Sequence, residues 1–363
     1  MNHLNDLTIY LTEKCNFSCS YCYYNKDLKS SLSIEKIKSS LDIFFEKYAD
    51  KSKPIYITLL GGEPLVEKKL MYQTLDLIKG WKKKAKIKVY LFTNGSLLSR
   101  KDAEELLKRN VKIYLSIDGV KESNDRYRKC KGSSAFSQAM KNIRKFPKPL
   151  IKKMGVNMVV GKKNCSYLMR NIKFFSKMGL GSIELSLMSY ENWPKKSLKK
   201  LVEQLDELYV YYNSLFSGKN KQKFRMYQLG ELFHGGWDKM DNCTRVKLAP
   251  DGNFYFCDAF FSLDSMKRET HKLDNMEKID ALKEEAKQGI SKVFPKTFSM
   301  HEQNRMIYCP YGVYYYCKQN HKDLKTYLKN FYISSRIYSS FMVHLFEDLR
   351  NNKEFLQFYS SQK

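Results

Sequence analysis

Apolar residues recur along the chain in two alternating rhythms. Short apolar runs at residues 8–11 (TIYL), 57–60 (ITLL), 88–92 (KVYLF), 111–117 (VKIYLSI), 153–160 (KMGVNMVV) and 183–188 (IELSLM) predict strands. Between them, apolar positions fall every third or fourth residue. Residues 34–48 place them at 34, 37, 41, 44, 45 and 48, after Ser33, a residue type suited to capping a helix. Further helices are predicted near 67–84, 100–109, 134–145, 165–178 and 194–216. Six strand–helix units thus occupy about 210 residues. Strands alternating with helices imply an α/β fold with a parallel sheet and right-handed crossovers. Six units are too few for a closed eight-unit barrel, so an open, partial barrel or a doubly wound sheet remains.

After about residue 218 the rhythm changes. Residues 243–317 form short segments punctuated by cysteine, with a hairpin-like VKLAPDGNFYFC turning at Asp251-Gly252. Residues 322–360 read as helix rich in aromatics, and neither an internal repeat nor a low-complexity tail is present. The expected division is therefore 1–218, 219–321 and 322–363.

Composition narrows the class. With 43% apolar residues in 363, the chain can bury a sizeable core and is not disordered. No run of 18 apolar residues occurs, which argues against a membrane-spanning helix. The N-terminus MNHLNDLTIY lacks the basic and apolar regions of a signal peptide, so a cytoplasmic location is expected. The net charge of +27 favours acidic partners, although joint abundance of Lys, Asn, Ile and Tyr can produce it through composition alone. The lysines at 82–84 and 195–200 follow helical patterns, as solvated faces do, and a nucleic-acid partner is not expected.

Candidate chemistry gathers where the predicted strands end. Cys15, Cys19 and Cys22 follow the first strand, Gly61-Gly62-Glu63-Pro64 the second, and Thr93-Asn94-Gly95 the third; Ser116 and Asp118-Gly119 end the fourth. In parallel α/β folds the carboxyl ends of the strands carry the site. Without a secretory signal, nine cysteines point to metal or catalysis before disulfides. Three thiolates in one short loop suit an iron–sulfur cluster with one iron left open; zinc is the rival occupant. Taken alone, Gly61-Gly62 is also a plain turn, and Ser116 or Asp118 a helix cap.

Together these motifs resemble the radical S-adenosylmethionine (SAM) enzymes. Cys15-x3-Cys19-x2-Cys22, with Tyr21 before the last cysteine, is followed in order by the glycine pair, Thr93-Asn94-Gly95 and Ser116-Ile117-Asp118-Gly119. Asn124-Asp125-x2-Arg128 departs from the family's usual His at the first of these positions. The resemblance spans roughly the first 190 residues. It implies a (βα)6 partial TIM-like barrel and a 4Fe–4S cluster on the three cysteines, with SAM on the open iron. It further implies that the Gly61–Glu63 turn meets the SAM amino group, that Ser116 and Asp118 bond the ribose, that Arg128 pairs with the carboxylate, and that Tyr21 lies beside the adenine. Asn94 joins this expected cofactor set. Charge agrees: Glu63 is anionic for an ammonium and Arg128 offers a guanidinium fork.

Cys243, Cys257, Cys309 and Cys317 resemble the auxiliary-cluster extensions called SPASM or, in shorter form, twitch. Four cysteines match one further 4Fe–4S cluster, but the longer cysteine run of a full SPASM domain is absent; zinc or buried thiols are the alternatives. Cys130 and Cys165 have no partner at motif spacing, although Cys130 lies close enough to Arg128 in sequence for a role near SAM. Asp258, directly after Cys257, resembles the Cys-Asp pair of anaerobic sulfatase-maturating enzymes, where the acid is a base; a solvated hairpin carboxylate is the plain alternative. The aromatics at 254–256, 260–261 and 314–316 suit either a peptide groove or a core over clusters. His234, His271, His301 and His321 are scattered and are given no ligand role.

The resemblance implies a peptide- or protein-modifying enzyme that crosslinks, epimerises or oxidises residues of a ribosomally made peptide. Its expected partners are that substrate, with an acidic segment matching the charge, and an electron donor such as flavodoxin or ferredoxin. The chain starts almost at the first strand, so recognition is expected to fall to the extension, the C-terminal helices or a separate protein. Three rivals stand beside this reading: a formylglycine-forming sulfatase maturase, a radical SAM enzyme acting on RNA or a small molecule, and a non-catalytic zinc-binding interaction protein.

Overall fold

A computed structural model describes residues 4–188, 191–218, 222–233, 245–275, 277–293 and 310–361. The six expected strands are present as β1 (Asp6–Tyr10), β2 (Ile55–Leu60), β3 (Ile87–Thr93), β4 (Val111–Ser116), β5 (Gly155–Val160) and β6 (Ser182–Leu187). Three short strands follow: β7 (Arg225–Met226), β8 (Arg245–Leu248) and β9 (Phe254–Tyr255). The chain divides into two compact units.

The first unit comprises Met1–Leu115, Arg128–Lys145 and Asn242–Gln288. Its strands pair in parallel, β1 with β2, β2 with β3 and β3 with β4. Leu7, Ile9, Ile57, Leu59, Val89, Leu91 and Ile113 are buried, as strands covered on both faces require. β8 adds to the free side of β1 in parallel, Asp6 opposite Arg245, and turns back at Asp251-Gly252 to pair with β9 in antiparallel. The hairpin signal is thus realised, and it delivers the extension to the strand that precedes the cysteine triplet. Tyr255, Phe256, Phe260 and Phe261 are buried, so these aromatics form core.

Local chemistry sets the helix limits. Ser33 accepts from the Lys36 amide and starts the helix Ile34–Ile43. That helix does not run to residue 48 as a single α-helix; Phe44–Tyr48 winds as a π-turn that keeps Phe44 and Phe45 inside. A capping box between Ser99 and Asp102 starts Arg100–Lys108.

The second unit comprises Ser116–Tyr127, Phe146–Asp241 and Gly289–Lys363. Here β5, β6 and β7 pair in parallel. The predicted C-terminal helix is two helices, Leu324–Leu349 and Lys353–Ser360, with Asn352 capping the second. Tyr359 anchors the end: its hydroxyl meets that of Tyr212 at 2.8 Å and accepts from the Met226 amide at 3.1 Å. No helix of the described residues is long and apolar enough to cross a membrane.

Candidate cluster and cofactor site

Beyond β1 the chain leaves the sheet in a loop closed at its base. Glu13 N–H donates to Ser30 O at 2.8 Å, and the Thr12 and Ser31 hydroxyls meet at 2.8 Å. Cys15 and Cys22 are exposed on this loop and Cys19 is half-buried. The protein packed around the Cys15 thiol pushes it up to about 12, with the Glu63 charge adding to the effect. A thiol so raised keeps its proton near neutral pH, and metal ligation at Cys15 would displace it. Among the described residues no three His, Cys, Asp or Glu side chains converge on a single-ion position. Three thiolates in one loop suit a cluster, in which each thiolate takes a different iron.

The glycine turn after β2 buttresses this loop. Gly61 has φ +153°, and a Cβ there would lie 2.6 Å from Thr12 O; one on Gly62 would lie 2.3 Å from Lys14 O. Only glycines allow the approach that lets Gly62 N–H donate to Thr12 O at 2.7 Å and Glu63 N–H to Lys14 O at 2.9 Å. The Glu63 carboxylate is buried and receives three donors: Leu65 N–H at 3.1 Å, Thr93 Oγ1 at 2.6 Å and Asn94 N–H at 2.7 Å. Burial pushes its carboxyl up, opposed by these bonds. Asn94 in turn donates to Asn16 Oδ1 at 2.8 Å, and Asn16 donates to Ser96 Oγ at 2.8 Å. The loops after β1, β2 and β3 are thereby one hydrogen-bonded lattice, in which the Glu63 side chain reaches the loop after β3 and the Asn94 side chain reaches the loop after β1.

Arg128 reaches the same loop. Its guanidinium carbon is 5.5 Å from the Tyr21 ring centroid, and the neighbouring Lys129 O accepts from Ser18 N–H at 2.8 Å. Cys130 sits alongside, its Sγ 3.9 Å from Asn16 O. Cys165 is buried, with Sγ 3.6 Å from the carbonyls of Lys162 and Ser197, as a structural thiol.

In the second unit Ser116 is half-buried at the end of β4. Asp118 is fully buried, and its Oδ1 accepts from Val159 N–H at 3.0 Å. Its own amide donates to Asn124 Oδ1 at 3.0 Å, so Asn124 shapes the turn after β4. Gly119, at φ +117°, meets the Asn171 side chain where a Cβ would be.

The extension brings a second cluster of groups into the first unit. Tyr10 Oη donates to Asp258 Oδ1 at 2.7 Å, and Lys247 Nζ lies 3.8 Å from the same oxygen. Tyr10 meets Tyr23 Oη at 2.9 Å. A phenol has one proton, so with Tyr10 donating to Asp258, Tyr23 donates to Tyr10. Burial, then the Asp258 charge, holds Tyr10 well above the usual phenol range, so it remains a donor. No described residue bonds Asp258 Oδ2, and the side chain is 40% exposed. A buried ion pair anchors the extension nearby: Arg268 Nη1 donates to Glu13 Oε1 at 2.7 Å and its Nε to Asp251 Oδ2 at 3.0 Å. Cys257 is half-buried, and Cys317 is buried in Pro310–Gln319, where burial pushes it up to about 12. Cys243 and Cys309 lie outside the described residues.

Asn16, Tyr10, Tyr23, Lys247 and the Glu13–Arg268 pair carry no motif. Their signal in the sequence is only proximity to cysteines, because their partners are far away along the chain.

Residues 9–192 match the model of the radical SAM superfamily. A serine-type anaerobic sulfatase-maturating enzyme of Bacteroides thetaiotaomicron is 31% identical over 185 residues, 47% of this chain and 43% of that protein. The sporulation killing factor maturation protein SkfB of Bacillus subtilis is 34% identical over 163 residues, 41% of this chain and 35% of that protein. The match thus spans less than half of either relative. Among solved structures, anSMEcpe with bound AdoMet superposes with a TM-score of 0.66 at 20% identity, covering 94% of this chain and 99% of that one. This last likeness shows the fold, a partial barrel with C-terminal helices.

Proposed function

This chain belongs to the radical SAM superfamily, and from that membership we propose that it modifies a side chain of a ribosomally made peptide or a protein. It is an enzyme whose cofactors are SAM and a 4Fe–4S cluster. When bound, these supply a 5′-deoxyadenosyl radical by one-electron cleavage of SAM, and that radical abstracts a substrate hydrogen.

The residues divide the remaining work. Cys15, Cys19 and Cys22 hold the cluster, and the Gly61-Gly62 turn keeps their loop in place. With SAM bound, Arg128 would hold its carboxylate, Tyr21 would stand beside the adenine and Ser116 would bond the ribose. Glu63, Asn94 and Asp118 also brace the loops they stand on, since the two carboxylates accept backbone N–H groups and the Asn94 amide donates to Asn16. Cys243, Cys257, Cys309 and Cys317 bind one auxiliary 4Fe–4S cluster, so a reconstituted chain should hold about eight iron atoms.

One observation carries the peptide reading furthest. Asp258, next to Cys257, is held through Oδ1 by Tyr10 while Oδ2 stays open. That carboxylate is placed to take a proton from a substrate residue as it is oxidised. A peptide maturase such as SkfB and a sulfatase maturase are both among the relatives, and the acid fits either chemistry. Formylglycine formation on a sulfatase is therefore the second reading. The charge suits an acidic peptide segment, and the reaction suits an anaerobic cytoplasm.

Co-expression with short reading frames encoded beside the gene, followed by mass spectrometry, tests the proposal. A changed peptide mass is expected with the intact enzyme. Asp258→Asn should abolish that change yet still form 5′-deoxyadenosine. An unchanged mass for every neighbouring peptide, with conversion of a sulfatase serine or cysteine instead, selects the second reading.

A further inference from the structure

The glycine turn is one support of the cysteine loop, and the extension is another. Glu13, two residues before Cys15, is sealed from solvent together with Arg268, and both lie in the first unit. Arg268 Nη1 donates to Glu13 Oε1 at 2.7 Å, across 255 residues of chain. The other Glu13 oxygen accepts from Ser30 N–H at 3.1 Å, so one carboxylate joins both ends of the loop to the extension. Arg268 Nε donates to Asp251 Oδ2 at 3.0 Å, and Tyr255 Oη donates to the same oxygen at 2.8 Å. Asp251 turns the hairpin that leads to Cys257.

The same segment also holds the loop beyond its last cysteine. Asn25 N–H donates to Phe261 O at 3.0 Å. The Tyr24 and Phe261 rings stack, 5.3 Å apart and 11° from parallel. The Arg268 guanidinium carbon lies 5.7 Å from the Phe261 ring centroid. Glu13 and Asn25 bracket the three cysteines in the chain, and both are bonded to the extension. Burying two opposite charges gains little stability over an apolar pair of the same volume, so what this pair supplies is orientation. A planar guanidinium holds Glu13 and Asp251 at a fixed angle to one another.

We propose that Arg268 is a positioning residue for the SAM-cluster loop. Through Glu13 it makes the hairpin that carries Cys257 a support of that loop, so the order of the extension governs SAM binding at Cys15, Cys19 and Cys22. Cys257 and the triplet are then coupled within one unit. A change that loosens the extension reaches the SAM site, and by linkage an ordered cysteine loop tightens the extension. This coupling rests on the superfamily's cofactors and is independent of which substrate the enzyme modifies.

The first arm of the test uses the metal-free full chain. Arg268→Met combined with Glu13→Gln removes both buried charges and avoids the unpaired charge that either change alone would leave. Amide hydrogen exchange over residues 13–30 should quicken at least tenfold, while exchange over β3 stays as in the wild type. Unchanged exchange over 13–30 overturns the proposal, as does an equal rise in β3, which reports general destabilisation. This arm needs neither iron nor SAM, so it stands apart from the cofactor assignment. The second arm uses the reconstituted chain. SAM binding by the pair variant should weaken at least tenfold. Arg268→Lys keeps the charge without the fork and should recover part of both losses. Cys257→Ala should weaken SAM binding in an otherwise wild-type chain and add nothing in the pair variant. Wild-type SAM affinity in the pair variant overturns the proposal, as do losses that multiply when the changes are combined.

Discussion

The Arg128 guanidinium lies over the Tyr21 ring, 5.5 Å from its centroid, on the loop that carries Cys19 and Cys22. Arg128 is 7% exposed, so its charge is held within the site rather than spread into solvent. A buried guanidinium on an aromatic face is oriented by the ring and can still present its fork to a carboxylate. Arg128→Met should weaken SAM binding by about 10- to 100-fold, the effect of losing a charged hydrogen bond. Arg128→Lys should recover part of the loss, and iron content should match the wild type. Equilibrium binding of SAM to the reconstituted protein checks this; unaltered affinity in Arg128→Met would remove the residue from the cofactor site.

Glu63 is an acceptor for three donors from two loops. Glu63→Gln replaces one carboxylate oxygen by an NH2 group facing an N–H or a hydroxyl. A loss of about 1–3 kcal/mol is expected, from the mispaired buried polar groups. Urea unfolding of the metal-free protein measures it. A midpoint equal to the wild type's would mean that the lattice does not need the charge.

Gly62→Ala tests the buttress beneath the cysteines. Its new Cβ would lie 2.3 Å from Lys14 O, a backbone atom one residue before Cys15. The loop must shift, so iron retained after reconstitution should fall by at least half. Gly80→Ala, with nothing within 4 Å of its Cβ, is the control and should retain full iron. Full iron in Gly62→Ala would show that the loop tolerates displacement.

Much of this was legible in the sequence, and the remainder had a common physical reason to be hidden. The six strand–helix units follow from periodicity, which is local. The glycine pair and the cysteine spacing also announce themselves locally. Nothing local says that β8 pairs with β1, because a parallel partner leaves no turn between the strands. Tyr10 therefore read as a strand residue, although its hydroxyl meets Asp258, far along the chain. For the same reason the protein donors to Glu63 and Asp118 were hidden: Thr93, Asn94 and Val159 reach these carboxylates only when the loops are folded. The π-turn at Phe44–Tyr48 has apolar spacing compatible with an α-helix, so its extra backbone residue was invisible.

Acid stability offers a test away from the cofactor. Asp102 caps Arg100–Lys108 and binds Lys68 at 2.7 Å. Desolvation alone would raise its carboxyl, but hydrogen bonds from Lys68 and Ser99 outweigh it and hold the group below the ordinary value. A depressed folded value means the stabilisation is present above the unfolded value, near ~4, and is lost as pH falls through the folded one. Asp102→Asn should lower stability at neutral pH and flatten its decline below about pH 4. Urea midpoints across that range check it; parallel curves for the two proteins would exclude Asp102 from the acid response.

The most direct measurement is anaerobic. The protein is reconstituted with iron and sulfide, reduced with dithionite and given SAM, and 5′-deoxyadenosine is quantified beside Cys19→Ala. Formation by the wild type and not by the variant is the predicted result. Equal formation by both, or none by a wild type fully loaded with iron, would contradict the assignment of Cys15, Cys19 and Cys22 as the loop that drives the chemistry.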